Sequence, residues 1–179
     1  MTSSFAIGKL IFKTEKARER FIKKYTEIIA RYGFSASDVE KETQNLTNRF
    51  KKEASFGDAI WSLFNRSVLE IAKKDPIDLT KLSYLHFDMA LFLAESGEDP
   101  TPTLEEAHKY KLKDLEQRWL KVRVSSASFG CEYCQELNEK VFDIKTALEL
   151  KILPNKKCTS VHFKTGKYPW CTCYFVAVP

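Results

Sequence analysis

Residues 131–142 read CEYCQELNEKVF, and residues 168–178 read YPWCTCYFVAV. Between these stretches lies Cys158, so all five cysteines of the 179-residue chain fall in its last forty-nine residues. The first 130 residues contain none. Cysteine used as small core filler scatters along a chain. Two close pairs and a fifth thiol form instead a ligand set for a soft, thiolate-binding metal. This cluster separates a small C-terminal module from the scaffold before it.

The pairs suit that role. In Cys131-Glu132-Tyr133-Cys134 a sharp backbone turn brings two sulfurs together, entered from Phe129-Gly130. In Cys171-Thr172-Cys173, side chains at i and i+2 project to one face of an extended strand. The metal ligands expected are therefore Cys131, Cys134, Cys158, Cys171 and Cys173, four of which suffice for tetrahedral Zn2+. The spacing does not choose among the five. Sulfur this abundant closes the coordination shell, which points to a structural ion, since catalytic zinc keeps an open position. Binding of about 10–16 kcal/mol then becomes folding free energy for the module. The same residues leave open an iron–sulfur cluster and thiol redox chemistry.

Residues 129–179 resemble the C-terminal motif of Mu-like phage minor head (head morphogenesis) proteins. Those proteins carry a C-x-x-C, a Leu-Asp-Gly-Lys-Val-Phe-like run, and a His-Pro-x-Cys-Arg-Cys block before an apolar strand. The counterparts here are Leu137-Asn138-Glu139-Lys140-Val141-Phe142 and Tyr168-Pro169-Trp170-Cys171-Thr172-Cys173. Glu139 stands in the place of the family's Gly, Tyr168 in that of its His, and Thr172 in that of its Arg. Cys158, which the Mu-type pattern does not require, can compensate for the missing His. The resemblance implies a role in phage or prophage head assembly, with a protein partner.

Upstream, the period is helical. Phe21, Tyr25, Ile28, Ile29 and Tyr32 share one face of a helix capped by Thr14 and closed by Gly33. A second helix is expected to open at Ser37-Asp38-Val39-Glu40 and to turn Val39, Leu46 and Phe50 inward. A third starts near Ser55-Phe56-Gly57-Asp58, carries Ile60, Leu63, Phe64, Val68 and Ile71, and stops before Pro76. A fourth spans Leu79 to Glu95, with Gly97 as its cap. Gly97 to Thr103 reads as a linker, followed by a capping box at Thr103-Leu104-Glu105-Glu106. From Val122 the pattern changes. Val122 and Val124 flank Arg123, Lys140 to Phe142 suggests a second strand, Asp143 caps a helix through Leu150, and Cys173 to Val178 reads as a third strand. The chain is thus mainly α with a small α+β zinc-knuckle module at the C-terminus, divided into residues 1–121 and 122–179.

Net charge is +5 at pH 7. Residues 1–56 hold twelve Lys/Arg against seven Asp/Glu, so the basic surplus sits at the start. Its Glu residues make a solvated face with i,i+4 pairs the ordinary reading of that stretch. Lys151, Lys156, Lys157, Lys164 and Lys167 mix with Tyr168 and Trp170 around the module, a composition that also admits nucleic acid as a partner. No run of eighteen apolar residues occurs, so no membrane partner is expected. No secretory leader is read at the N-terminus, so the expected location is the cytoplasm of a bacterial or phage-infected cell. No phosphate-cradling glycine loop, nucleophile elbow or H-E-x-x-H motif is present. His86 reads as a core histidine and His108 as a solvated one. His162 and Asn155 are the residues a metal-dependent nuclease would use, without the adjacent His-His or Asp-His signal such an enzyme needs. The function expected is non-catalytic: a zinc-stabilised binding or assembly protein. The alternatives are a nucleic-acid-binding protein of a bacterial defence or toxin system and a metal-dependent nuclease.

Overall fold

The computed structural model describes residues 14–127, 130–158 and 171–179. Among these, five helices come first: α1 (Glu15–Ala30), α2 (Ala36–Phe50), α3 (Phe56–Ala72), α4 (Leu79–Glu95) and α5 (Thr101–Glu116). Then follow β1 (Lys121–Ser125), α6 (Glu132–Leu137), β2 (Val141–Asp143), α7 (Ile144–Leu150) and β3 (Tyr174–Val178). The protein is mainly helical, with a small antiparallel sheet and the cysteines gathered near the C-terminus. No helix among the described residues is long and apolar enough to cross a membrane.

Short polar side chains fix where the helices begin. Thr14 accepts a hydrogen bond from the Ala17 amide and opens α1. Gly33, at φ +95°, closes it by turning the chain left-handed, so that the Phe34 amide reaches back to the Ile29 carbonyl. The start of α2 differs from the expectation at Ser37. Ser35 is the cap, and its hydroxyl and amide exchange hydrogen bonds with Asp38. Ser37 has Glu40 three positions on just as Ser35 has Asp38, but the helix already begins at Ala36, so Ser37 lies inside its first turn and Ser35 holds the cap. These bonds from Ser35 hold the exposed Asp38 carboxyl below its usual range. Ser55 and Asp58 form the same box at α3. Val39 and Leu46 are buried as expected, but Phe50 is 43% exposed, because α2 ends there and Lys51 leaves in a left-handed turn.

The stretch expected to be a linker is partly helical. Helix α5 begins at Thr101, where the Asp99 carboxylate accepts from the Thr101 amide. Pro102 is tolerated because the first turn of a helix needs no amide donor there. Thr103 therefore lies within the helix rather than capping it.

Packing divides the chain into two units. The first comprises residues up to Ile77 with Phe92–Glu98. Its centre is aromatic: Phe92 sits 4.9 Å from Tyr25, 5.8 Å from Phe21, 6.0 Å from Phe64 and 6.2 Å from Trp61, ring centre to ring centre. The Tyr25 hydroxyl donates to Glu95 at 2.8 Å. Glu42 is buried between α2 and α3, where Ser62 and Arg66 each donate to it at 2.6 Å. Burying a carboxylate is tolerable only with such partners.

The second unit comprises Asp78–Leu91 with Asp99–Pro179. Its sheet has the order β2-β1-β3, with Arg123 facing Val141 on one side and Val176 on the other. Val122 and Val124 are fully buried while Lys121 and Arg123 stay exposed, the alternation of a half-covered strand. Helix α5 packs on α7 and β3. Leu112, Val122, Val124, Ile144, Ala147, Leu153 and Phe175 form one core together with Cys134, Cys171 and Cys173.

His108 departs from the expectation of a solvated side chain. It is 3% exposed, with its ring edge-on to Phe87 at 5.2 Å and to Phe175 at 5.8 Å. Its position on α5 is the one that faces α4 and β3. Burial pushes its pKa down from 6.5 to about 4, so the imidazole is neutral at physiological pH. His86 is a core histidine as expected, with Nδ1 2.8 Å from the Leu82 carbonyl.

Candidate metal centre

The approach to the first cysteine pair is narrow. Gly130 donates to the Ala127 carbonyl at 2.7 Å, and a Cβ at this position would stand 3.0 Å from that oxygen and 3.3 Å from Cys134 Cβ. A larger residue here would push its neighbours in the ligand turn aside by a few tenths of an ångström. Cys131 then takes the N-cap position of α6, and the Cys134 and Gln135 amides bond back to its carbonyl. The C-x-x-C therefore spans the first turn of a short helix. That turn supplies the sharp bend the sequence required.

The second contribution comes from the segment after α7. Lys151, left-handed at φ +47°, ends the helix. Asn155 accepts from the Lys157 amide through its side chain and from the Cys158 amide through its carbonyl. This compact turn presents Cys158. The third contribution is the run into β3. Cys171, Cys173 and Phe175 are all buried, on the inward face that period-two alternation selects.

All five cysteines that the sequence marked come together. Cys131, Cys134 and Cys158 form one group of sulfurs, and Cys134, Cys171 and Cys173 a second, each with its sulfurs within 4.8 Å of one another. Cys134 is common to both. The Sγ–Sγ distances are 3.7 Å for Cys131–Cys158, 3.4 Å for Cys134–Cys158 and 3.7 Å for Cys134–Cys171. No disulfide joins them. Such a cluster can hold a metal ion.

The thiols are not equivalent without metal. Hydrogen bonding from the Cys173 thiol lowers Cys171 to about 5, aided by the backbone amides of Cys173 and Asn155. Burial pushes Cys134 up to about 11. Cys173 is raised, first by its hydrogen bond to Cys171 and then by burial. One thiolate thus sits among thiols that share its charge, and a metal ion would deprotonate its other ligands on binding.

Asn155 is the residue whose place here the sequence did not disclose. Its Nδ2 donates to the Tyr133 carbonyl at 3.0 Å and reaches the Cys134 sulfur at 3.9 Å. An Asn after Leu153-Pro154 and three residues before a cysteine is the signal that could have marked it. His162, Lys164, Lys167, Tyr168 and Trp170 lie outside the described residues.

No protein-family model, curated protein or solved structure matches this chain.

Proposed function

We propose that this chain is a non-catalytic binding or assembly protein whose C-terminal module is built on one structural Zn2+. The observation that carries this reading is the convergence of thiols from three separate stretches of sequence into one largely buried cluster. A zinc ion with bonds of about 2.3 Å in tetrahedral geometry places its sulfurs about 3.8 Å apart. The three distances of 3.4–3.7 Å are close to that edge. Five sulfurs are enough to close the shell, which favours a structural over a catalytic ion.

Head assembly in a phage or prophage is the role this reading favours. Glu139 supports it. It stands where the Mu-like motif has glycine, and it adopts φ +61°, the left-handed region that glycine prefers. A protein partner agrees with the exposed apolar side chains of the second unit, among them Leu120, Val141, Leu150 and Tyr174. The described lysines beside the cluster have protein partners. Lys151 and Lys156 approach Glu105 at 3.0 and 3.9 Å, and Lys157 lies over the Tyr133 ring.

Two measurements test the reading. Metal analysis of purified protein should give one zinc per chain, and a chelator should lower the melting temperature. Co-expression with portal or capsid protein should give a complex stable across salt concentrations. DNA or RNA binding with a steep dependence of log K on log[salt] would replace the assembly role with nucleic-acid binding.

A further inference from the structure

We propose that a cavity between α5 and α7 is a binding site for a small apolar zwitterion, such as an α-amino acid with a bulky apolar side chain. The zinc reading gives this cavity no role, and the proposal does not depend on that reading.

The cavity has a volume of about 420 Å3. Small-molecule sites commonly enclose about 300–1,000 Å3. Every lining residue lies between Glu105 and Leu153, so both walls belong to the second unit. The inner wall is buried. His108 and Leu112 contribute to it from α5, Ala147 from α7, and Leu153 from the turn beyond. Ala147, on the buried face of α7, fills little of the space with its single methyl group. The His108 imidazole is neutral at physiological pH, so this wall carries a ring but no charge. An apolar group placed against it leaves water without stranding an ion.

The rim is charged, and its charges are unevenly matched. Lys109 pairs with Glu106 at 2.8 Å, and Lys151 with Glu105 at 3.0 Å. The second pair joins the end of α7 to α5, so side chains of the two walls reach one another. Lys113 on α5 and Glu149 on α7 also line the cavity, and neither has an ion-pair partner among the described residues. One wall thus offers an ammonium and the other a carboxylate. A purely anionic occupant would meet Lys113 but bring its charge against Glu149, and a purely cationic one would do the reverse. An occupant with a carboxylate and an ammonium meets both, while its apolar part lies against the inner wall.

The test uses the full-length protein as purified, with its methyl and imidazole NMR signals assigned. Three probes are titrated: L-phenylalanine, 3-phenylpropionate, which lacks the ammonium, and phenethylamine, which lacks the carboxylate. L-Phenylalanine should bind saturably with a Kd of about 1 mM or below. It should shift the methyl signals of Leu112, Ala147, Leu148 and Leu153 and the ring signals of His108 more than any others. Each truncated probe should bind about 3–5-fold more weakly. Lys113→Ala should remove the advantage of L-phenylalanine over phenethylamine, and Glu149→Ala its advantage over 3-phenylpropionate. Both side chains are exposed, so both variants should melt at the wild-type temperature. No saturable shift up to about 10 mM, or shifts centred on other residues, would overturn the cavity as a ligand site. A truncated probe that binds as tightly as L-phenylalanine, or a selectivity that both variants leave unchanged, would overturn the zwitterion assignment.

Discussion

Replacing His108 by Phe should flatten the acid side of the protein's stability curve. His108 is buried between the Phe87 and Phe175 rings, and its Nε2 has no hydrogen-bond partner among the described residues. The folded protein holds its proton only below about pH 4, whereas the unfolded chain holds it below about 6.5. Between those values the unfolded state binds more protons, so stability falls as pH falls. The contribution is complete above pH 6.5 and is lost progressively on acidification. At pH 5 the loss is about 2 kcal/mol, and the whole interval is worth about 3 kcal/mol. Phenylalanine keeps the edge-on ring contacts and cannot take up the proton. Urea denaturation of wild type and His108→Phe at pH 7.5 and 5.0, both in excess zinc, measures the difference between the two pH responses. The pH dependence that metal ligands impose on both proteins cancels in that difference. The variant should lose about 2 kcal/mol less than wild type on going to pH 5. Equal losses would show that His108 is hydrated or paired in solution, and would refute the reasoning.

Zinc affinity should rise with pH between 6 and 8, because the Cys134 thiol, near 11, must lose its proton to bind. Cys171, near 5, is already ionised, so calorimetry in buffers of different ionisation enthalpy should find fewer than four protons released per zinc. Release of four would contradict that. Cys134→Ser should weaken zinc binding about 100-fold or more, since this sulfur belongs to both groups of thiols, and unchanged competition against a chromophoric chelator would refute it. Ser35→Ala should cost about 1 kcal/mol in urea denaturation and Ser37→Ala little, because only Ser35 caps α2. Glu139→Gly should raise stability by roughly 1 kcal/mol by relieving a left-handed residue, since the Arg123–Glu139 pair it removes is exposed and worth little. A drop in the unfolding midpoint would count against that account.

The helices were legible because their signals are local. The Phe21–Tyr25–Ile28–Ile29 face, the Ser55–Asp58 box and the two closing glycines each lie within one or two turns, and each stands where it was read. The strands were readable from alternation at Val122 and Val124 and from the apolar run into β3. Less was legible where a tertiary contact decides. His108 looks solvated beside Lys109 and Lys111, yet faces the rings of Phe87 and Phe175, which are distant in sequence. The gathering of the cysteines was visible in their clustering. Their inequality was not, because it depends on which amides reach which sulfur, and the backbone of Asn155 carries no mark of that in its side chain.

The strand order carries a kinetic consequence. β1 lies in the middle, and Lys121 pairs with Asp143 on one side but with Val178 on the other. The first pairing closes a short stretch of chain and is quick to form, whereas the second must wait for a search more than twice as long. Until the last strand arrives, one edge of β1 stands open to any passing chain. An ion caught between Cys134 and Cys171 would shorten that search by tethering the approaching strand beside its destination. Metal supply during synthesis would then govern how long each new molecule stays vulnerable to aggregation, as well as how firmly the finished one holds together.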